Sequence, residues 1–487
     1  MKKFRCIFLP LVVLIISFTL YPALAHRKPP QDCTPPKPKP PPQDEPKPKP
    51  PPQEEPKPKP PPKEEPKPKP PPKEEPKPKP PPKEDPKPKS PPQEDPKPKP
   101  PPQNPPEDPK PKPPKDNKPE PPQEPQKPTP FHDKYKGCFS SMYAFGDSYT
   151  DTGNAQFMGS LTISFSGSLS SPYGSTTFGK SSNRLCDGRL VLDFITDSLG
   201  LPVLPPYQST SANFTSGANF AIAGCTTVAN DLFSKFARLF LWKATPLGVW
   251  TQLEWYKKFQ VDHLCKGLDQ NGCQAKMKTA LFWVGEIGIN DYSRAVGSKI
   301  PLRSIAKSSV VYTTELVRTL IRNGAKNIVV QGLPPLGCLP LDISITPISI
   351  RDRSGCSQIV NAAVVIHNQI LQAKLEILRK LFPDVTIIYA DSWKAYYNIV
   401  NNAAKCKIRE TRRTCCGASA AQDNLNFNLQ SLCGSAGTSI CDNPSQYISW
   451  DGIHPTESMN YHMTDQYINN GCCNPPFEQL MKKSAAV

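Results

Sequence analysis

The sequence predicts an α/β domain over residues 131–487, with a mainly parallel sheet covered on both faces. Two observations carry this. Short apolar runs end in Gly, Asn or Asp, and stretches with apolar residues at three- and four-residue spacing lie between them. Strands alternating with helices give crossover units, and crossovers place helices on both sides of a parallel sheet.

In chain order, the run 142–145 stops at Gly146 and delivers Asp147 and Ser148. A helix over 189–199 closes at Gly200. The run 281–284 ends at Gly285, and a helix over 304–323 is stopped by Gly324. The run 327–331 precedes Gly332, and a helix over 357–381 is followed by Pro383. The last run, 385–389, leads into Ala390 and Asp391. In such sheets the site lies at the carboxyl ends of the strands, and Ser148 and Asn290 both follow a predicted strand. The stretch 231–256 holds Phe233, Phe236, Phe240, Trp242, Trp250, Trp255 and Tyr256. It reads first as a helix packed on the core, with an apolar wall over an acyl chain as the alternative.

The chain has 487 residues and a formal charge of +17, but its parts differ. Lys2, Lys3 and Arg5 precede an apolar run to Leu20 and then Ala23-Leu24-Ala25. This reads as a secretory signal over 1–25, cut before His26, and as too short for a membrane span. Residues 26–130 hold 49 of the 66 prolines, and a decamer of the form PKPKPPPKEE repeats from Pro36 to Pro105. Proline fixes φ and removes the amide donor, so the expectation is a disordered, polyproline II-rich spacer. Its 70 repeat residues would reach on the order of 200 Å if fully extended. Its lysines offer a contact for acidic cell-wall polysaccharide, which the neighbouring acids weaken. No part is strongly basic for its length, which argues against a nucleic-acid partner, and no later segment is apolar enough for a membrane span.

Of the 16 cysteines, 15 remain once Cys6 is removed with the signal. Without CxxC or His/Cys clusters they predict disulfides in an oxidising compartment and no metal or other cofactor. Local pairs suggested by spacing are Cys265 with Cys273, Cys338 with Cys356, and Cys433 with Cys441, while Cys415-Cys416 and Cys472-Cys473 leave alternatives. The odd count leaves one thiol over, with Cys33 the first candidate. Asn213-Phe214-Thr215 is the one unblocked N-glycosylation sequon, so Asn213 is expected on a surface loop.

A serine hydroxyl is a poor nucleophile near pH 7 and needs a base and a carboxylate to orient that base. His454 lies in Trp450-Asp451-Gly452-Ile453-His454-Pro455, three residues after Asp451. His367, His263 and His462 carry no such context. Thr150 stands where Gly-x-Ser-x-Gly would need glycine, which argues against an ordinary α/β-hydrolase. Asp151 and Asn219 read as structural hydrogen-bonders.

Four blocks in order carry a resemblance: FGDSYTDTGN from Phe145, Gly217-Ala218-Asn219-Phe220-Ala221-Ile222-Ala223-Gly224, Gly285-Glu286-Ile287-Gly288-Ile289-Asn290-Asp291, and the segment around His454. They resemble the plant GDSL esterase/lipase family of the SGNH hydrolases. The arm resembles proline-rich, extensin-like wall proteins, and the combination the anther-specific proline-rich type of these lipases. The resemblance implies a flavodoxin-like three-layer α/β/α fold and a secreted, extracellular esterase of the cell wall, cleaving acyl esters of lipid, polyester, acetylated polysaccharide or phenolic type. It implies Ser148 as nucleophile, His454 as base, Asp451 as its orienting acid, and an oxyanion hole from the Ser148 and Gly224 amides and the Asn290 side chain. Two positions depart from the common pattern, Ala223 and Ile289, and the second is expected to narrow the acyl pocket. The alternatives are a wall structural glycoprotein with a non-catalytic hydrolase domain and an acyltransferase using the same residues.

Overall fold

The first strand, β1 (Ser141–Phe145), lies between two parallel neighbours in the computed structural model, which describes residues 131–159, 170–227, 247–295, 300–419 and 424–484. The signal segment, the proline-rich arm, Cys33, Phe233, Phe236, Phe240 and Trp242 lie outside these residues. The other parallel strands are β2 (Gly217–Asn219), β3 (Ala280–Val284), β4 (Asn327–Gln331) and β5 (Thr386–Ala390). Their order across the sheet is 2-1-3-4-5, the flavodoxin-like arrangement. A short ladder pairs β6 (Glu410–Thr414) with β7 (Tyr447–Ser449), and an edge strand, β8 (Cys473–Asn474), adds antiparallel to β5.

The helices that matter for the site are α1 (Val191–Ser198), α2 (Val249–Phe259), α3 (Ile289–Ala295), α4 (Leu302–Arg322), α5 (Gln358–Leu381), α6 (Ser392–Asn401) and α7 (Glu457–Ile468). Every residue of β1 to β5 is buried, which explains why β1, β3, β4 and β5 read as largely apolar runs rather than alternating ones. The pleat still sorts them. Met142, Ala144, Leu281, Trp283, Val329 and Ile388 join Val191, Phe194, Met459 and Met463 in one core. Tyr143, Phe145, Phe282, Val284, Ile328 and Ile387 join Leu253, Tyr256, Leu316, Val317 and Leu371 in the other. Alternate residues thus feed α1 and α7 on one face and α2, α4 and α5 on the other. Each such fully buried side chain contributes roughly 1.5–3 kcal/mol.

The expected mainly parallel α/β sheet is therefore present, with small shifts of boundary. The run predicted over 385–389 starts one residue later, and the helix predicted over 304–323 runs from Leu302 to Arg322. Two features had no sequence signal: β2, whose Gly-Ala-Asn lacks β-branched residues, and the two-residue β8. The cysteine expectations need two corrections: among the described residues Cys186, Cys225, Cys406, Cys472 and Cys473 are in no disulfide, so more than one thiol is left over, and one local pair differs. Cys265–Cys273 and Cys338–Cys356 are bonded, but Cys433 does not pair with Cys441. The bonds are Cys415–Cys441 and Cys416–Cys433. Cys415 sits in the bend after β6 and Cys416 in the two-residue strand that follows, so the two take different partners, and sequence proximity does not select the pair.

Candidate active site

The carboxyl end of β1 lies beside that of β3, and the order reverses here because β2 sits on the far side of β1. Ser148 emerges just past β1. Its hydroxyl meets His454 Nε2 at 2.9 Å, and His454 Nδ1 meets Asp451 Oδ2 at 2.7 Å. A carboxylate oxygen only accepts, so Nδ1 carries the proton and Nε2 is the acceptor for the Ser148 O–H. All three side chains are buried, with Ser148 5% and His454 6% exposed.

The Asp451 turn is built from its own backbone. Asp451 Oδ1 accepts the amides of Ile453 at 2.9 Å and His454 at 2.7 Å, and the Trp450 amide donates to the His454 carbonyl at 2.8 Å. Gly452 allows this with φ of +91°, and a Cβ there would fall 2.1 Å from the Phe427 ring. Burial works to raise the Asp451 carboxyl, but its pairing with His454 and these hydrogen bonds outweigh it and hold the group below its ordinary value. Tyr149, next to the serine, tilts over the His454 ring at 5.6 Å and donates its hydroxyl to the Ile453 carbonyl.

The remaining predicted residues converge on the same rim. Asn290, in α3, donates Nδ2 to Asp147 Oδ2 at 3.2 Å and to the Cys225 carbonyl at 3.0 Å. It therefore lies between the residue before Ser148 and the residue after Gly224. Gly224 turns with φ of +77°. Neither its amide nor that of Ser148 has an acceptor among the described residues, so both are available to a ligand. Burial pushes Asp147 well above the usual carboxylate range, with Glu286, Asp291 and Asp151 adding to the effect.

Several holding residues escape sequence reasoning. Gln252 of α2, fully buried, clamps Gly146 by accepting its amide at 3.0 Å and donating to its carbonyl at 2.7 Å. Arg294 of α3 donates to the Gly224 carbonyl at 3.1 Å and to Thr226 Oγ1 at 3.3 Å, while Asp291 accepts the Thr227 amide at 3.0 Å. The helix that presents Asn290 thus also grips the Gly224 loop. Asp151 does serve as a structural hydrogen-bonder, accepting the amides of Gly153, Asn154 and Ala155 and, at 2.9 Å, Ala223. Burial raises its carboxyl to about 6. Asn219 donates to the Thr150 carbonyl and Thr152 Oγ1 in the same role. No short motif marks Gln252 or Arg294.

Other expectations place residues away from the centre. Ile289 is 3% exposed and belongs to a cluster with Tyr149, Tyr292 and Leu333, so its extra bulk goes into packing under α3. Tyr256 is fully buried in the core and Trp255 packs with Tyr207, as a packed helix requires, whereas Trp250 is exposed against Tyr312. His367 is buried beside Tyr292, and burial lowers it to about 3. Asn213 is exposed at the opposite end of the sheet, where it lines a groove of about 640 Å³ with Ser140, Tyr143, Phe214 and His263. Its Oδ1 accepts both the amide and the hydroxyl of Thr215.

Comparison with known proteins shows the family. Residues 142–466 match the model of the GDSL-like lipase/acylhydrolase family. A GDSL esterase/lipase of Arabidopsis thaliana is 39% identical over 352 residues, covering 71% of this chain and 90% of that protein. Acetylajmalan esterase 2 of Rauvolfia serpentina is 35% identical over 344 residues, covering 68% and 89%. A second Arabidopsis GDSL esterase/lipase is 33% identical over 355 residues, covering 71% and 88%. The family match over residues 142–466, with relatives 33–39% identical that cover 68–71% of this chain, makes it a member of the plant GDSL esterase/lipase family and a carboxylic ester hydrolase.

Proposed function

We propose that the chain is an exported serine esterase that cleaves acyl esters through an acyl-enzyme on Ser148. The observation that carries this is the continuous chain of hydrogen bonds from Ser148 Oγ through His454 to Asp451, at 2.9 and 2.7 Å. His454 Nε2 takes the Ser148 proton as Oγ attacks the ester carbonyl carbon, and Asp451 stabilises the imidazolium that forms. The oxyanion is met by the Ser148 and Gly224 amides and by Asn290 Nδ2, whose 3.2 Å contact with Asp147 yields to the ligand. Each such donor contributes about 3–4 kcal/mol to the transition state. The imidazolium then protonates the leaving alcohol. Water, deprotonated by the same histidine, attacks the acyl-serine and releases the acid.

Export rests on the charged and apolar segment 1–25 and is supported by four disulfides, which persist in oxidising compartments. The exposed Asn213 sequon is then open to a glycan, and the proline-rich arm to wall polysaccharide.

Purified full-length protein is expected to hydrolyse p-nitrophenyl acetate. Ser148→Ala should lower kcat roughly 10⁴-fold or more and abolish labelling by a fluorophosphonate. Unchanged activity in Ser148→Ala would remove the assignment. A competing alcohol in the assay separates hydrolysis from acyl transfer by product.

A further inference from the structure

The carboxylate of Asp451 accepts four hydrogen bonds, and three come from its own turn: the Ile453 and His454 amides on Oδ1 and His454 Nδ1 on Oδ2. The fourth comes from 278 residues away. Tyr173 donates its hydroxyl to Oδ2 at 2.9 Å. Among the described residues it is the one donor to this carboxylate from outside the turn. Tyr173 is 5% exposed, its ring meets Trp450 edge-on at 5.9 Å, and it belongs to a cluster with Leu185, Ala223, Cys415, Cys416 and Cys433. The disulfides Cys415–Cys441 and Cys416–Cys433 brace that cluster. The Cys416 amide also holds the Trp450 carbonyl at 2.7 Å, immediately before Asp451.

We propose that Tyr173 is a positioning residue of the ester-hydrolysing site, fixing the Oδ2 edge of Asp451 and through it the plane of the His454 ring. The proposal rests on reading Ser148, His454 and Asp451 as the reacting triad. Packing accounts for the ring, since phenylalanine would fill the same space. The hydroxyl has the carboxylate as its acceptor. Oδ1 is held by two backbone amides, but without Tyr173 Oδ2 is held by His454 alone. His454 is the group that must face first the serine and then the leaving alcohol.

The hydroxyl also takes a share of the carboxylate charge. Without it, Oδ2 keeps one donor fewer and its charge is shared less. The other titratable neighbours stay in place when that hydroxyl is removed. Cys186 faces Tyr173. Across the His454 ring lies Tyr149, with Asp147, Glu286 and Asp342 around it.

Tyr173→Phe in the full chain tests this, with p-nitrophenyl acetate as substrate and a fluorophosphonate to count reactive serines. Loss of one hydrogen bond to a charged group predicts a kcat per reactive serine lower by roughly tenfold. KM should stay within about twofold. In an Asp451→Asn background the same change should cost almost nothing further. An unaltered kcat per reactive serine, or the same loss again in the Asp451→Asn background, overturns the proposal even if thermal stability falls. Activity surviving in Ser148→Ala would instead remove the triad reading beneath it, so the two failures are distinguishable.

Discussion

Ser148 and His454 meet from two turns that are held by different means. The serine's turn is gripped by side chains from distant elements: Gln252 on Gly146, Asn290 on Asp147, and Asp151 linking the turn to Ala223. The base's turn is held mainly by main chain. Its own amides fold onto Asp451, while the amides of Leu341 and Cys416 reach the carbonyls of Gly452 and Trp450. A side-chain clamp depends on one residue type at one position. A main-chain clamp tolerates most side chains but requires the right φ and ψ. The two halves of the site should therefore fail to different kinds of substitution.

The largest effect is expected where the main-chain clamp meets its one conformational demand. Gly452→Ala places a methyl 2.1 Å from the Phe427 ring in a left-handed conformation. Displacing Asp451 and His454 by about 1 Å costs on the order of 10²-fold in kcat. The same change should lower stability by roughly 1–3 kcal/mol through overpacking and backbone strain. Kinetics and urea unfolding of the variant measure both. Wild-type kcat would show that the turn is not rigid.

A smaller loss is expected from the remote clamp. Gln252→Leu fills the same volume but leaves the buried Gly146 amide without a partner, while the carbonyl keeps the Ile222 amide at 3.2 Å. Stability should drop by roughly 1–3 kcal/mol. Because Gly146 is two residues from the nucleophile, kcat should fall about tenfold. If only stability changes, Gln252 supports the strand end without setting the serine's position.

This contrast also explains what could be read from the sequence. The Asp451–His454 turn is local, so its chemistry lies within six adjacent residues and is visible as a motif. The strand ends are legible for a similar reason: the centre of β4, Ile328 to Val330, is apolar at every position because helices cover both of its faces. Gln252 stands 106 positions from the residue it holds, and Tyr173 stands 278 from Asp451. Neither spacing has a periodicity to betray it. The crossed pairing of Cys415 and Cys416 escapes for the same reason, since their partners stand 26 and 17 positions away. Ile289 shows the converse error: a bulky residue beside Asn290 suggests a narrowed pocket, but its side chain turns into the packing below.

The subtlest prediction concerns a charge beside the main-chain clamp. Asp342 follows Leu341, whose amide holds Gly452, and burial alone raises its carboxyl to about 7. Its ordinary value is near 3.8, so between about pH 4 and 7 the folded chain keeps a proton that the unfolded chain has lost. The contribution to stability is full below pH 4 and disappears as the pH rises through 7. Asparagine resembles the protonated acid and cannot ionise. Asp342→Asn should therefore match the unchanged protein in Tm near pH 4 and exceed it progressively up to pH 8. Glu286, also raised to about 7 by burial, is common to both chains and cancels in the difference. A Tm difference that stays constant across that range would mean that Asp342 is already ionised in the folded state. It would also place a stabilising cation or donor next to the loop that carries His454.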